Sequence, residues 1–202
     1  LHYIEAEQFE DAIMLAKHIA HSFLTEGQQE ALLQLNSMLG EQSPPEMLLY
    51  CGIIHMERRA FELSRQLLSR AQTQFFAQSD NALAMRASIE LAFNDYRAGD
   101  YAQALARLEQ LDIPYPDMQA RRRRLQGLAY LESGQFEMAI SHLNLALEDL
   151  TRYEADFGRS NVLQDLSEAY LRIGDLSNTG KALLDAVALK RKLGNQADLA
   201  LA

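Results

Sequence analysis

Cysteine, proline and glycine are scarce in this sequence of 202 residues, and tryptophan is absent. The single cysteine, Cys51, excludes a disulfide within the chain and indicates a reducing compartment, so we expect a cytoplasmic protein. The four prolines leave most of the chain free to form helices. No apolar run approaches the roughly 20 residues needed to cross a bilayer, so we expect no membrane association.

Positive charge is also in short supply, because the formal net charge is −9. Affinity for nucleic acid rests largely on Lys and Arg side chains that release counterions, so we do not expect this chain to bind DNA or RNA directly. Hydrophobic residues make up 48% and charged residues 23%, a balance typical of globular proteins. The chain begins with neither methionine nor a signal-peptide pattern, and we expect it to be a piece of a longer protein.

A turn-and-helix phrase recurs along the chain. Its two fullest copies are Ala98-Gly99-Asp100-Tyr101-Ala102-Gln103-Ala104-Leu105 and Ser133-Gly134-Gln135-Phe136-Glu137-Met138-Ala139-Ile140. Degenerate copies are Ile173-Gly174-Asp175-Leu176, Arg59-Ala60-Phe61-Glu62-Leu63-Ser64 and, upstream, Gln8-Phe9-Glu10-Asp11-Ala12-Ile13. From Phe61 to Leu176 the aromatic or leucine positions are spaced by 40, 35 and 40 residues, which is a helical-repeat period.

Each part of the phrase has a structural reason. The glycine can adopt the left-handed conformation that ends one helix, and the Asp or Gln can cap the next helix. We expect the aromatic residue or leucine to plug each hairpin, and the small residue three positions later to let the paired helix approach closely. The preceding helices carry matching small residues at Gly52, Ala92, Gly127 and Ser167.

The pattern predicts an all-α protein, a right-handed superhelix of stacked antiparallel helical hairpins. We place helices near residues 9–24, 28–39, 45–57, 60–77, 80–98, 101–112, 117–133, 136–153, 156–173 and 176–193. Residues 1–202 are expected to form a single repeat domain. Within it, residues 1–43 would be atypical N-terminal hairpins, 44–194 successive repeats and 195–202 the start of a further helix that is cut short.

The phrase pattern resembles tetratricopeptide (TPR) repeats. Its longer spacing, together with the upstream Gln8-Phe9-Glu10-Asp11-Ala12 segment, resembles the MalT-like subgroup of large ATP-binding LuxR-type transcriptional regulators. In that family an ATP-binding domain and a winged helix precede a superhelical repeat region, and a helix-turn-helix usually follows. The resemblance implies that this chain is the repeat region, with a role in signal sensing or oligomerisation.

The residues that most often carry chemistry give no catalytic centre here. No glycine-rich phosphate loop is present, and His18 and His21 have no third metal ligand near them in sequence. His55 and His142 fall in helices as packing or surface residues, and Cys51 lies in an apolar helix where an inert thiol is expected. We therefore expect no metal, no cofactor and no enzymatic activity.

The inner surface of the superhelix, formed by the first helix of each hairpin, is the candidate binding site. Alignment of the repeats places a set of ten residues there as a groove for a ligand or peptide: Arg86, Phe93, Tyr96, Arg97, Arg121, Arg124, Leu128, Asn161, Gln164 and Arg172. The same alignment adds Leu49, Ile53, Met56, Ile89, Leu131 and Glu168. The arginines would suit an acidic peptide or a small anionic ligand. The alternative is that Arg121 to Arg124 form a solvated run paired with Glu on adjacent helices.

Three functional hypotheses follow. The chain is the sensing or oligomerisation region of a bacterial transcriptional regulator, or it is a free-standing adaptor that binds partner peptides in its concave groove. An enzyme is disfavoured, because no acid, base and nucleophile set is visible. Self-association is also expected, because an array that is cut short exposes the apolar face that a further repeat would cover.

Overall fold

The computed structural model describes residues 28–200, and it describes side chains for residues 28–194. All regular structure within residues 28–200 is helical, without a strand. The all-α fold class expected from the sequence is therefore confirmed. The helix predicted near residues 9–24, with His18 and His21, lies outside the described residues.

Nine α-helices follow one another along the described chain. They are α1 (Gln29–Leu39), α2 (Pro45–Glu57), α3 (Phe61–Ala77), α4 (Asn81–Arg97), α5 (Tyr101–Glu109), α6 (Pro116–Glu132), α7 (Phe136–Arg152), α8 (Asp156–Arg172) and α9 (Leu176–Ala200). A short 3-10 helix, Gly40–Gln42, connects α1 to α2. Apart from the C-terminal end of α9, the observed bounds lie within three residues of the predicted ones.

A residue with left-handed backbone lies at the turn after most of these helices. The phrase glycines Gly99, Gly134 and Gly174 have φ values of 87°, 76° and 78°, as the sequence predicts. Their turns close with the same hydrogen bond, from the amide that follows the glycine to a carbonyl five residues back, as in Asp100 N to Asp95 O at 2.9 Å. Each glycine therefore ends its helix in the expected way.

The residue after the turn glycine caps the next helix only where it is aspartate. The Oδ1 atoms of Asp100 and Asp175 accept hydrogen bonds from the amides of Gln103 and Asn178, at 3.1 and 3.0 Å. Gln135 makes no such bond, so its predicted capping role is wrong. A glutamine side chain is one methylene longer than an aspartate, and it overshoots the amide that a short acceptor reaches.

Glycines in the first helices set how closely the two helices of a hairpin approach. A Cβ atom added at Gly52 would lie 2.7 Å from Cδ2 of Leu68, and one added at Gly127 would lie 2.6 Å from Cγ of Leu143. Leu68 and Leu143 are both fully buried. The expectation that small residues permit close packing is confirmed at these two positions.

Packing contacts divide the chain into two compact units, and the boundary falls between Gln103 and Ala104, inside α5. We refer to the described residues before it as unit 1 and those after it as unit 2. In unit 1, α2 packs against α1 and α3, and α3 packs against α4. In unit 2, α6 packs against α7, α7 against α8 and α8 against α9. Within each unit the helices form stacked hairpins, while the single domain predicted for residues 1–202 stays a prediction.

The C-terminal helix differs from its prediction. α9 continues without a break through Gly194 to Ala200, where the sequence suggested the end of one helix and the start of another. A glycine inside a helix costs only about 1 kcal/mol relative to alanine, so Gly194 alone does not end it. The expected plug residue Leu176 is also 70% exposed, whereas Phe61, Tyr101 and Phe136 are half-buried.

We predict that Gly127→Ala destabilises the protein by about 1–2 kcal/mol, because the new methyl group must push α7 away. Urea unfolding should show a lower midpoint. The matched control is Gly180→Ala in α9, where an added Cβ would have nothing within 4 Å. The control should gain up to about 1 kcal/mol from the better helix propensity of alanine. Equal gains from both substitutions would contradict the close-packing role of Gly127.

Candidate functional site

In unit 1 the predicted groove residues share one helix, α4. Arg86, Phe93 and Tyr96 are half-buried, and Arg97 is exposed. Arg86, Phe93 and Arg97 are spaced by seven and four residues, which places them along one stripe of the helix. Glu90 falls on the same stripe, but it is 3% exposed. The accessible charge on this stripe is therefore positive.

Aromatic rings form the centre of this α4 face. The rings of Phe93 and Tyr96 are stacked, with centroids 5.9 Å apart and planes at 11°, and Tyr101 lies 5.7 Å from Tyr96 in a tilted arrangement. The guanidinium carbon of Arg97 lies 5.8 Å from the centroid of Phe93. Stacked rings beside a guanidinium group offer both apolar contact and hydrogen-bond donors to a ligand.

Arg86 connects α4 to the neighbouring first helix, α2. Its guanidinium carbon lies 5.4 Å from the centroid of the Tyr50 ring, and its Nη1 lies 3.5 Å from the Tyr50 hydroxyl. Tyr50 is buried. The cation–π contact therefore holds the Arg86 side chain in place at one end of the stripe.

Two buried polar residues, which the sequence analysis did not single out, fasten α4 to α3. Asp95 is fully buried and accepts hydrogen bonds from Nε and Nη2 of Arg65 at 3.3 and 3.0 Å. Asn94, also fully buried, donates from Nδ2 to the carbonyl of Phe61 at 3.1 Å. A signal was present in the sequence, since two adjacent polar residues interrupt an apolar helix just before a turn.

In unit 2 the arginine run of α6 spreads around its helix. Arg123 donates to Asp149 on α7, Arg124 donates to Asp165 on α8, and Nη1 of Arg122 donates to the carbonyl of Leu111 at 2.6 Å. The pairing that the alternative interpretation expected is therefore present, but Arg122, Arg123 and Arg124 are half-buried, whereas a solvated run was expected. The partners of Arg123 and Arg124 are aspartates, whereas glutamates had been predicted.

Other predicted groove residues of unit 2 also contact their own chain. Arg172 donates to Glu168 one turn earlier at 3.0 Å, and Gln164 accepts from Nζ of Lys190 at 2.8 Å. Leu128 and Asn161 are half-buried, and Arg121 is exposed. Compared with unit 1, this set has arginines, Arg124 and Arg172, that are already paired with carboxylates, and it has no described stack of aromatic rings.

Four residues that the alignment added to the inner surface are buried. They are Leu49, Met56, Ile89 and Leu131. The prediction that they line the groove is wrong. A helix that packs against several neighbours buries a wide apolar stripe of its surface, and these four residues lie within that stripe. Ile53 is half-buried and Glu168 is exposed.

A cavity of about 900 Å³, which the sequence analysis missed, opens at the start of α8. Asp156 lies in its wall and accepts hydrogen bonds from Nζ of Lys192 at 2.6 Å and from Nη1 of Arg159 at 2.8 Å. These contacts, that from Lys192 above all, lower the pKa of Asp156 below its ordinary value. The ion pair fastens α8 to α9.

Asp165 shows the opposite shift. Burial raises the pKa of its carboxyl group, and the hydrogen bond from Arg124 only partly offsets this effect. The Arg124–Asp165 pair joins α6 and α8, the two first helices of unit 2. It therefore has the same structural role as the Arg86–Tyr50 contact in unit 1.

Cys51, His55 and His142, three titratable groups that the sequence analysis considered, have shifted pKa values. Burial raises the pKa of the Cys51 thiol to about 12, and burial lowers the pKa of both His55 and His142. Among the described residues, no three His, Cys, Asp or Glu side chains are grouped so that they could hold a metal ion. In the same part of the chain, no helix has the length and apolar character needed to span a membrane.

Solved structures similar to this chain are helical-repeat proteins. A structure of MamA from Desulfovibrio magneticus RS-1, spanning position 41 to the end of that protein, matches with a TM-score of 0.65 and 21% identity, over 90% of this chain and 97% of the solved one. A Podosopora anserina protein named for kinesin light chain, with nearly identical TPR-like repeats, matches with a TM-score of 0.63 and 16% identity, over 90% and 96% of the two chains. No protein-family model and no curated protein matched. These likenesses show a TPR-like fold.

We predict that Arg65→Met destabilises the protein by about 2–3 kcal/mol, because it removes a partner of the fully buried Asp95 carboxylate. The matched control is Arg70→Met on the same helix. Arg70 is exposed and reaches only the carbonyls of Gly40 and Glu41, at 3.4 and 3.5 Å. Denaturant unfolding should separate the two variants, and a similar small loss in both would refute the proposed role of Arg65.

The two shifted aspartates predict opposite pH dependences of stability. The pKa of Asp156 is lowered in the folded protein, so its contribution is fully present above its ordinary pKa of about 4 and is lost as pH falls through the lowered pKa. The pKa of Asp165 is raised, so its contribution is largest in acid and declines as pH rises through its pKa.

Unfolding free energies measured from pH 3 to 7 should show this difference. As pH rises, Asp156→Asn should lose stability relative to wild type, whereas Asp165→Asn should gain stability relative to wild type. Parallel curves for the two variants would contradict the assignment.

Proposed function

We propose that this chain is a protein-interaction scaffold that binds an acidic, partly apolar peptide on the α4 face of unit 1. The observation that carries the proposal is the arrangement of Arg86, Phe93, Tyr96 and Arg97 on one helix. The TPR-like fold supports a binding role, because such repeats present the first helix of each hairpin to partners.

The spacing of the two arginines suggests the length of the peptide. Arg97 lies eleven positions after Arg86, and a helical rise of 1.5 Å per residue places their backbones about 16 Å apart. An extended peptide covers that distance in about five residues. The proposed ligand therefore carries two carboxylates about five residues apart, with an apolar side chain between them for Phe93 and Tyr96.

The contacts that hold α4 and Arg86 in place favour selective binding. The Arg65–Asp95 pair and the Asn94 contact fasten α4 to α3, and the stack of Arg86 on Tyr50 orders one of the two guanidinium groups in advance. A ligand that meets ordered donors loses less conformational entropy of the site on binding. Both arginines present donors in a planar fork that matches a carboxylate.

The scaffold interpretation is preferred over the other hypotheses. The similar structures are TPR-like repeat proteins, which fits an adaptor better than the sensing region of a LuxR-type regulator. The regulator role stays a hypothesis. A small anionic ligand is less favoured than a peptide, because the aromatic pair lies between the two charges and would have no function in holding a compact anion.

The test is selection of peptides from a displayed random 12-residue library against the purified chain, followed by titration calorimetry. We expect the selected peptides to be acidic with an apolar centre. Phe93→Ala combined with Arg97→Glu should weaken binding by at least about tenfold, because the variant loses a stacking surface and reverses a charge.

The control exchanges the same residue types on α3, where Phe76 and Arg70 are exposed. Phe76→Ala with Arg70→Glu should leave the affinity unchanged. Arg124→Glu is unsuitable as a test, because Arg124 is paired with Asp165 and its loss would disturb the fold. Equal weakening by both double variants, or selected peptides without acidic residues, would reject the proposal.

A further inference from the structure

The connection between α5 and α6 contains, in its own sequence, the ligand pattern inferred for the α4 face. Its residues 112–117 are Asp-Ile-Pro-Tyr-Pro-Asp, so two carboxylates lie five positions apart with only apolar or aromatic residues between them. The two aspartates and the two prolines are exposed, whereas Ile113 is 2% exposed. We call residues 112–117 the acidic segment.

The backbone of the acidic segment is extended. Ile113 and Tyr115 each precede a proline, and a residue in that position avoids helical backbone. Tyr115 has φ of −93° and ψ of 119°, which is an extended conformation. An extended chain rises about 3.3 Å per residue, so the two carboxylates of the segment lie roughly 13 to 16 Å apart. This span matches the separation of about 16 Å between the two arginines of the α4 face.

Contacts with α6 hold the acidic segment in this form. Nε2 of Gln119 donates to the carbonyl of Ile113 at 2.7 Å, and Nη1 of Arg122 donates to the carbonyl of Leu111 at 2.6 Å. The buried Ile113 side chain adds an apolar anchor. The segment is therefore ordered before any partner arrives, which lowers the entropy that it loses on binding.

The charges of both surfaces are available for a partner. Among the described residues, Asp112 and Asp117 take part in no ion pair. On the α4 face, Arg86 stacks on a tyrosine ring and Arg97 on a phenylalanine ring, and neither is paired with a carboxylate in the same part of the chain. The two surfaces are thus complementary in charge although the chain as a whole is acidic.

We propose that the acidic segment of one copy of this chain binds the α4 face of a second copy. The proposal rests on the proposed function, since it uses the same face, and it names the partner. The two carboxylates of the segment meet the two arginines of the face, and the exposed prolines pack on the aromatic pair between them.

The test is sedimentation velocity of the 202-residue chain over a wide concentration range. Wild type should associate as concentration rises. Asp112→Asn combined with Asp117→Asn should raise the dissociation constant at least about tenfold, because both carboxylates of the segment are neutralised. The matched control is Glu132→Gln with Glu137→Gln. These two exposed glutamates have the same five-position spacing but flank a turn glycine between two helices, so this variant should associate like wild type.

A mixture of two variants tests whether the two surfaces meet each other. Phe93→Ala with Arg97→Glu, which alters the face, should fail to self-associate, as the segment variant does. Mixing these two variants should restore association, because the intact face of one meets the intact segment of the other, and the product should stop at a 1:1 dimer. If the segment variant loses helical circular dichroism, Asp112→Arg alone, outside any helix, replaces it.

The proposal is overturned if wild type is monomeric at every concentration, if the segment variant associates like wild type, or if the mixture stays monomeric. Peptide selection on the α4 face separates this result from the proposed function. Acidic peptides selected by a chain that stays monomeric would leave the peptide-binding function in place and overturn only the recognition of a second copy.

Discussion

The fold depends on how closely the two helices of each hairpin can approach. At Gly52 and Gly127 the facing leucine occupies the space that any side chain would need. This contact buries Leu68 and Leu143 completely and sets the separation on which the next layer is built. Because interiors are close-packed, a change of one methyl group at such a point is transmitted to the neighbouring helices. The α4 face that we propose as a peptide-binding surface is a consequence of this regular layering.

Much of the helical architecture could be predicted from the turn phrase. Glycine at a helix end and aspartate after it act through the local backbone, so Gly99, Asp100 and their equivalents could be interpreted without a fold. The length of α9 could not, because Gly194 is tolerated within a helix and only packing decides whether the helix continues. The division into two units was also beyond the sequence, because it depends on contacts between residues far apart in the chain.

The candidate site was predictable in position but not in detail. Alignment of the repeats brought Arg86, Phe93 and Arg97 to one face, because helical periodicity determines which residues share a side. It could not say which arginines would find partners within the chain. Arg124 and Arg97 look alike in sequence, yet one is paired with a half-buried aspartate and the other lies against an aromatic ring. Which group an arginine contacts depends on the neighbouring helices, and the local sequence pattern does not contain this information.

The turns show that the repeat geometry is tolerant of sequence drift. Arg59, Ser79 and Glu154 take the left-handed backbone conformation that Gly99, Gly134 and Gly174 take elsewhere. A residue with a Cβ atom pays roughly 1 kcal/mol for this conformation, which a stacked array can absorb. The turn glycine can therefore be replaced by another residue without loss of the hairpin. Leu68 shows the consequence within this chain, because it is as fully buried as Leu108 and Leu143 although the turn before its helix has Arg59 in place of a glycine.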